Sequence, residues 1–256
     1  GVVGLTEKVD GAWEAIYSQD GAHVYVTGLS SNNVAVLDVD PADGSLEFSG
    51  DASFPGEGAA PASAFDGASE LAMSPDGGCL YVAAVGNESL ASLSVDAESG
   101  SLAYVGAFSG SAMGGASDLL VSPDGGHVYV SSMVCGCILA FGVHEEEGAC
   151  GIAYEASFST GLVLPTGLAL SPDGGTLYAT DFALGALLRF DRDAGTGVLT
   201  PMQTLDDGDN ALTRLEGARS VAVGPSGRDV YVASSGAGAL VHFCADETTG
   251  ELVAIE

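Results

Sequence analysis

Apolar positions in this chain fall in short blocks, and none recurs at the spacing of a helix face. Each unit opens with an apolar block, "AIY", "LAM", "LLV", "LAL" or "VAV". A polar turn follows, "SQDGA", "SPDGG" (three times) or "GPSGR", and then a β-rich segment, "HVYV", "CLYV", "HVYV", "TLYA" or "DVYV". Pro presets its own φ and Gly takes the positive φ of a tight reversal, so the turn is written in the residues themselves. A third strand, such as "VAVLDVD" or "LLRFDRD", leads to an Asp- and Gly-rich turn, such as "DPADGSL" or "DETTGEL", and a fourth strand.

The first turn recurs at Asp20, Asp76, Asp124, Asp173 and Ser226, at intervals of 56, 48, 49 and 53 residues. Four short strands in about 50 residues predict the blade of a β-propeller. The expected fold is all-β: one propeller domain over 1–256, with five four-stranded blades closed around a central channel. The blades are placed at 8–55, 64–108, 112–160, 161–207 and 214–256, with 1–7 joining the closing blade. Closure is expected because the chain begins opposite Val105 of an inner repeat and ends opposite Gly106, one full circuit later. Tyr25, Tyr81, Tyr129, Tyr178 and Tyr231 share one register, which fits repeated core packing.

The "SPDGG-x-[LV]-Y-V-[AS]" pattern and the segment "ALLRFDRDAGTGVLT" resemble the YVTN and lactonase-type propeller repeats, a group that includes 6-phosphogluconolactonase-like proteins. The resemblance implies a propeller along the whole chain and raises lactone hydrolysis as an activity. Such propellers commonly have seven blades, against five units here. No residue set of this chain matches a lactonase site position by position.

In a ring, equivalent positions become neighbours. Four residues before each turn lie Glu14, Glu70, Asp118, Gly167 and Ser220; one residue earlier lie Trp13, Ser69, Ser117, Thr166 and Arg219. They are predicted to line one mouth of the channel. Glu14, Glu70 and Asp118 suit oxygen ligation of a hard cation such as Ca²⁺. Trp13, Ser69, Ser117, Thr166, Arg219 and Ser220 suit a polar ligand pocket, with Arg219 gripping a carboxylate or pairing with Glu14. Crowded carboxylates would also raise one another's pKa. On the same face, Leu29, Val85, Met133 and Phe182 align in one loop position, either as a protein-docking patch or tucked against the next blade.

Composition narrows the partners. Asp and Glu number 35 against 6 Lys and Arg, a net charge of −29. Such a surface repels phosphate backbones and anionic headgroups, which argues against nucleic acid and against direct membrane insertion. Five cysteines leave at least one unpaired, and Cys135, Cys137 and Cys150 crowd into one repeat. They form either a local disulfide there or plain thiols, because CxC lacks the spacing of a zinc or redox motif. The acidic surface and clustered cysteines suggest an exported, extracellular or lumenal protein; a salt-adapted cytoplasm explains the charge equally.

The leading functional expectation is a non-catalytic binding or scaffold module for a protein or small polar ligand. It needs no cofactor, with Ca²⁺ as an optional occupant. The alternative is a lactonase-like hydrolase with a metal-dependent site in the channel.

Overall fold

A computed structural model describes residues 9–52, 64–144, 150–207, 214–246 and 248–255. The segment 1–7, part of the connection between Gly50 and Gly67, and the end of "LDDGDN" lie outside the described residues. Blade 1 comprises β1 (Ala12–Tyr17), β2 (His23–Gly28), β3 (Asn33–Val39) and β4 (Leu46–Asp51). Blade 2 comprises β5 (Ala68–Met73), β6 (Cys79–Ala84), β7 (Ser89–Val95) and β8 (Leu102–Ser109). Blade 3 holds β9 (Ala116–Val121), β10 (His127–Ser132), β11 (Cys137–His144) and β12 (Gly151–Phe158). Blade 4 holds β13 (Pro165–Leu170), β14 (Thr176–Asp181), β15 (Ala186–Arg192) and β16 (Leu199–Asp206). Blade 5 holds β17 (Ala218–Val223), β18 (Asp229–Ser234), β19 (Ala239–Ala245) and β20 (Leu252–Ile255). Each blade is an antiparallel sheet in sequence order, as the turn chemistry predicts.

The turn between the first two strands shows why the repeat keeps its residues. In blade 2, Asp76 accepts the Gly78 N–H at 3.0 Å and Ser74 Oγ accepts the Cys79 N–H at 2.9 Å. Gly77 takes a φ of +76°, where a side chain would be strained.

The core lies between blades rather than within one. Four hydrophobic clusters sit at the four seams joining blades 1–2, 2–3, 3–4 and 4–5. The repeated tyrosine is part of each seam. Tyr25 Oη donates to the Gly100 carbonyl of blade 2 at 3.1 Å, and Tyr129 Oη to the Gly197 carbonyl of blade 4 at 2.8 Å. Gly197 has φ +66° and lies against the His127 ring, so a side chain there is barred both by backbone conformation and by space.

The seam between blades 3 and 4 carries an added brace. Arg192, its side chain fully buried, contacts Asp124 through both terminal nitrogens at 2.8 and 3.1 Å. It also donates to Tyr129 Oη and meets His127 Nδ1, each at 2.9 Å. Burial opposes the charge on Asp124, but the Arg192 and Ser122 bonds outweigh it and hold the carboxyl well below its usual range. Burial, and then Arg192, push the His127 pKa down, so the ring stays neutral and can accept from the guanidinium.

The five four-stranded blades of the expected β-propeller are those that the structure holds. The first strands pack in series, β1 on β5, β5 on β9, β9 on β13 and β13 on β17. Among the described residues no comparable packing joins β17 to β1, and no fifth cluster links blade 5 to blade 1.

Of the two alternatives for the clustered cysteines, a local disulfide forms, and a second bond was not foreseen. Cys135 and Cys137 pair locally, while Cys150 joins Cys79 of the preceding blade. Cys244 is free. Spacing could not show the second bond, because its partners are 71 residues apart and meet only across a seam. We expect replacement of both Cys79 and Cys150 by Ala to cost about 4 kcal/mol in denaturant unfolding, because of the long loop they close. The same change at Cys135 and Cys137 should cost only ~1.5 kcal/mol, since the loop they close is short.

Candidate functional site

Every innermost strand carries the same irregularity, and the site is built on it. Pairing of β1 with β2 slips between Ala12 and Ala15, and that of β5 with β6 between Ala68 and Leu71. In β9, β13 and β17 the slip falls at residues 117, 166 and 219. Extra residues on one strand form a bulge, which bends the strand and re-aims side chains. The bulged residues are those that the repeat alignment places at the channel mouth.

There they surround a cavity of about 830 Å³. Trp13, Ser69, Glu70, Ser117, Asp118, Thr166, Arg219 and Ser220 line it, together with Leu29, Val85 and Met133 from the rim loops. Two expected members are elsewhere. Phe182 is 39% exposed and is not part of the wall. Glu14 turns sideways, and its Oε2 accepts the Leu71 N–H of blade 2 at 2.6 Å. Gly167 interrupts the carboxylate row for a steric reason: a Cβ there would lie 2.7 Å from the Arg219 carbonyl oxygen. The sequence reading missed the wall from blade 5, Ala233–Ser235 and Gly238–Leu240. Leu240 occupies a register that is buried in every other blade.

Several of these groups also hold blades together. Ser117 Oγ donates to the Pro165 carbonyl at 2.8 Å, and Thr166 Oγ1 to the Ala218 carbonyl at 3.0 Å. Asp118 accepts from Leu119 N–H at 2.8 Å and, across the seam, from Leu168 N–H at 2.7 Å. Trp13 Nε1 donates to Glu70 Oε1 at 2.9 Å.

These commitments weigh against the expected Ca²⁺ set. Among the described residues no three His, Cys, Asp or Glu side chains gather as metal ligands. Glu14 lies outside the cavity wall, and both Asp118 oxygens accept backbone N–H groups. The carboxylates therefore do not fit a cation site. The alternative pairing of Arg219 with Glu14 is not formed either. Arg219 is exposed in the cavity wall, with no hydrogen bond or ion pair among the described residues.

What the carboxylates do show is suppressed ionisation. Burial first, and then the charge of neighbouring Glu14, push Glu70 up to about 7, against the opposing bond from Trp13. Burial raises Asp118 to about 6, although the Leu168 and Leu119 N–H bonds favour its charged form. Glu14 is also raised by burial. The two carboxyls are neighbours, so charge on Glu14 opposes ionisation of Glu70. A group whose pKa is raised on folding stabilises the protein below its unfolded pKa and loses that contribution as pH rises. For Glu70 the loss spans about 4.5 to 7. We expect Glu70→Gln to melt above the wild type at pH 7.5, with the difference closing towards pH 5, as read by calorimetric Tm.

The geometry now meets its relatives. The lactonase family, described as 7-bladed β-propellers, matches residues 5–114 and 107–213. No curated protein sequence matches the chain. Among solved structures, the periplasmic gluconolactonase of Pseudomonas aeruginosa is 24% identical with a TM-score of 0.73, covering 94% of this chain and 68% of that one. A candidate 6-phosphogluconolactonase from Bacteroides uniformis is 18% identical with a TM-score of 0.75, covering 94% and 68%. A protein from Lactobacillus plantarum is 20% identical with a TM-score of 0.79, covering 96% and 70%. At these identities the structural likenesses show the fold. The family match does more: it overturns the expectation of a non-catalytic binding or scaffold module in favour of the hydrolase alternative. This chain belongs to the lactonase family of β-propellers.

Proposed function

We propose that the chain is a lactone hydrolase acting in the channel-mouth cavity, with Glu70 as general base and Arg219 as the anchor for an anionic substituent. The observation that carries this reading is the meeting, in one cavity, of a carboxyl held near neutral pKa and a guanidinium unpaired among the described residues. A general base works best with a pKa near the operating pH, where it is ionised often enough and still accepts a proton readily.

Water bound beside Glu70 would attack the lactone carbonyl carbon, and Glu70 would take its proton. The ring C–O bond then breaks, and the proton returns to the departing alkoxide to leave a hydroxy acid. Donation from Trp13 fixes the Glu70 carboxylate in place. Asp118, Ser69 and Ser220 supply polar contacts on the cavity wall for sugar hydroxyls, while Leu29, Val85 and Met133 cover the apolar edge. No step is routed through a metal, since these carboxylates do not form a ligand set.

Substrate charge matters in this setting. A protein of net charge −29 repels an anionic lactone, and a free Arg219 offsets that repulsion locally. The names of two structural relatives point to glucono-lactones with and without a phosphate, and both serve as probes.

The test is hydrolysis of glucono-δ-lactone and its 6-phosphate in a pH-stat, corrected for spontaneous opening. We expect kcat to rise with pH through about 7, because the base must be deprotonated. Glu70→Gln should lower kcat about 100-fold or more. Arg219→Ala should raise KM for the phosphorylated lactone about 10-fold while sparing the neutral one. Turnover no faster than spontaneous opening would refute the proposal, as would a Glu70→Gln variant with wild-type kcat.

A further inference from the structure

Trp13 stands apart from its equivalents in the other blades. Ser69, Ser117 and Thr166 turn their hydroxyls onto backbone carbonyls, the last two reaching into the next blade. In blade 1 that crossing bond comes from β2 instead, where Thr27 Oγ1 donates to the Ser69 carbonyl at 2.6 Å. Trp13 is thereby released from holding the seam, and it belongs to none of the four hydrophobic clusters. Its indole is 59% exposed and stands in the cavity wall. A tryptophan left in water forfeits the large apolar burial it ordinarily supplies, so this exposure is the informative feature.

The polar edge of the ring is already committed. Nε1–H is the only donor of an indole and lies in the ring plane, and it meets Glu70 Oε1 at 2.9 Å. This bond sets the Glu70 carboxyl at the rim of the indole and leaves the ring faces for contact. Ser69 and Asp118 line the same wall. A ligand that fits is apolar on one face and carries polar groups around its edge. The ring of a sugar lactone has this shape, with C–H bonds on its face and hydroxyls and the carbonyl at its edge.

We propose that Trp13 is a specificity-determining platform, on which the sugar ring of the lactone stacks with its carbonyl edge toward Glu70. The ligand class rests on the proposed hydrolase reading; the platform rests on the exposed, hydrogen-bonded indole. One side chain thus carries two separable duties. The ring face holds the substrate, while Nε1–H positions Glu70. Donation favours the charged carboxylate, against the burial that raises its pKa. Loss of the donor therefore raises that pKa further and moves the rise in kcat to higher pH.

Trp13 is the single tryptophan of the chain, so its fluorescence reports on this site alone. The probe is glucono-δ-lactam, in which N–H replaces the ring oxygen, so the ring persists without hydrolysis. We expect a saturable change in tryptophan emission as the lactam is added at pH 7. By calorimetry, Trp13→Leu should weaken lactam binding about tenfold, while Trp13→Phe, which keeps an aromatic face, should stay within about threefold. In turnover of glucono-δ-lactone, Trp13→Phe should move the midpoint of the kcat rise above about 7. A substitution that only loosened the fold would not produce this split.

The proposal is overturned by a lactam that does not bind, or that binds without changing the emission. Binding to Trp13→Leu as tight as to the wild type would overturn it too, as would an unmoved pH midpoint in Trp13→Phe. Turnover judges the hydrolase reading separately. A chain that binds the lactam through Trp13 and opens no lactone keeps the platform and loses the hydrolase. A chain whose lactone hydrolysis is indifferent to Trp13→Leu keeps the hydrolase and loses the platform.

Discussion

The seam between neighbouring blades is the constraint on which the rest of this structure depends. A four-stranded sheet of about 50 residues cannot bury both its faces alone, and stacking is what covers them. The four described clusters sit at these seams and nowhere else. Each seam combines apolar burial with a few directed bonds, so it fixes register as well as contact. Tyr129 reaching Gly197, and Arg192 spanning Asp124, His127 and Tyr129, show how polar groups can be buried there without being left unpaired.

The candidate site grows from the same seams. Bulges at the start of each first strand turn a core position into a channel-facing one. They also free hydroxyls and carboxylates to reach the next blade. The price of placing Glu70 and Asp118 there is desolvation, which raises both pKa values and leaves groups that can exchange protons near neutrality. Stability and chemistry are therefore set by the same burial. In a chain with so few cations, Arg192 is committed to a seam, and Arg219 stands at the equivalent of the bulged hydroxyls with its guanidinium unpaired among the described residues.

Much of this was legible in the sequence because it is local and repeated. The Pro-Asp-Gly turns fixed the hairpins, and counting back from them found Ser69, Glu70, Ser117, Asp118, Thr166 and Arg219 before their cavity was seen. What escaped depends on distance or angle. Cys79 and Cys150 meet across 71 residues. Glu14 has the right register but an amide from the next blade to satisfy, so it points away from the cavity. The exposure of Leu240 follows from packing that no single repeat encodes. The functional expectation was corrected by the family match and not by any residue spacing, since Glu70 and Asp118 come from different blades.

Hydrolysis at the channel mouth, as proposed, requires Glu70 and Arg219 to face one bound sugar acid or its lactone. The most direct measurement follows the Glu70 carboxyl and the Arg219 Nε by ¹³C and ¹⁵N NMR while the hydrolysis product 6-phosphogluconate is titrated in at pH 7. Saturable shifts at both groups with one common midpoint are expected. Glu70 and Arg219 resonances that stay fixed, with the product binding elsewhere or not at all, would contradict it.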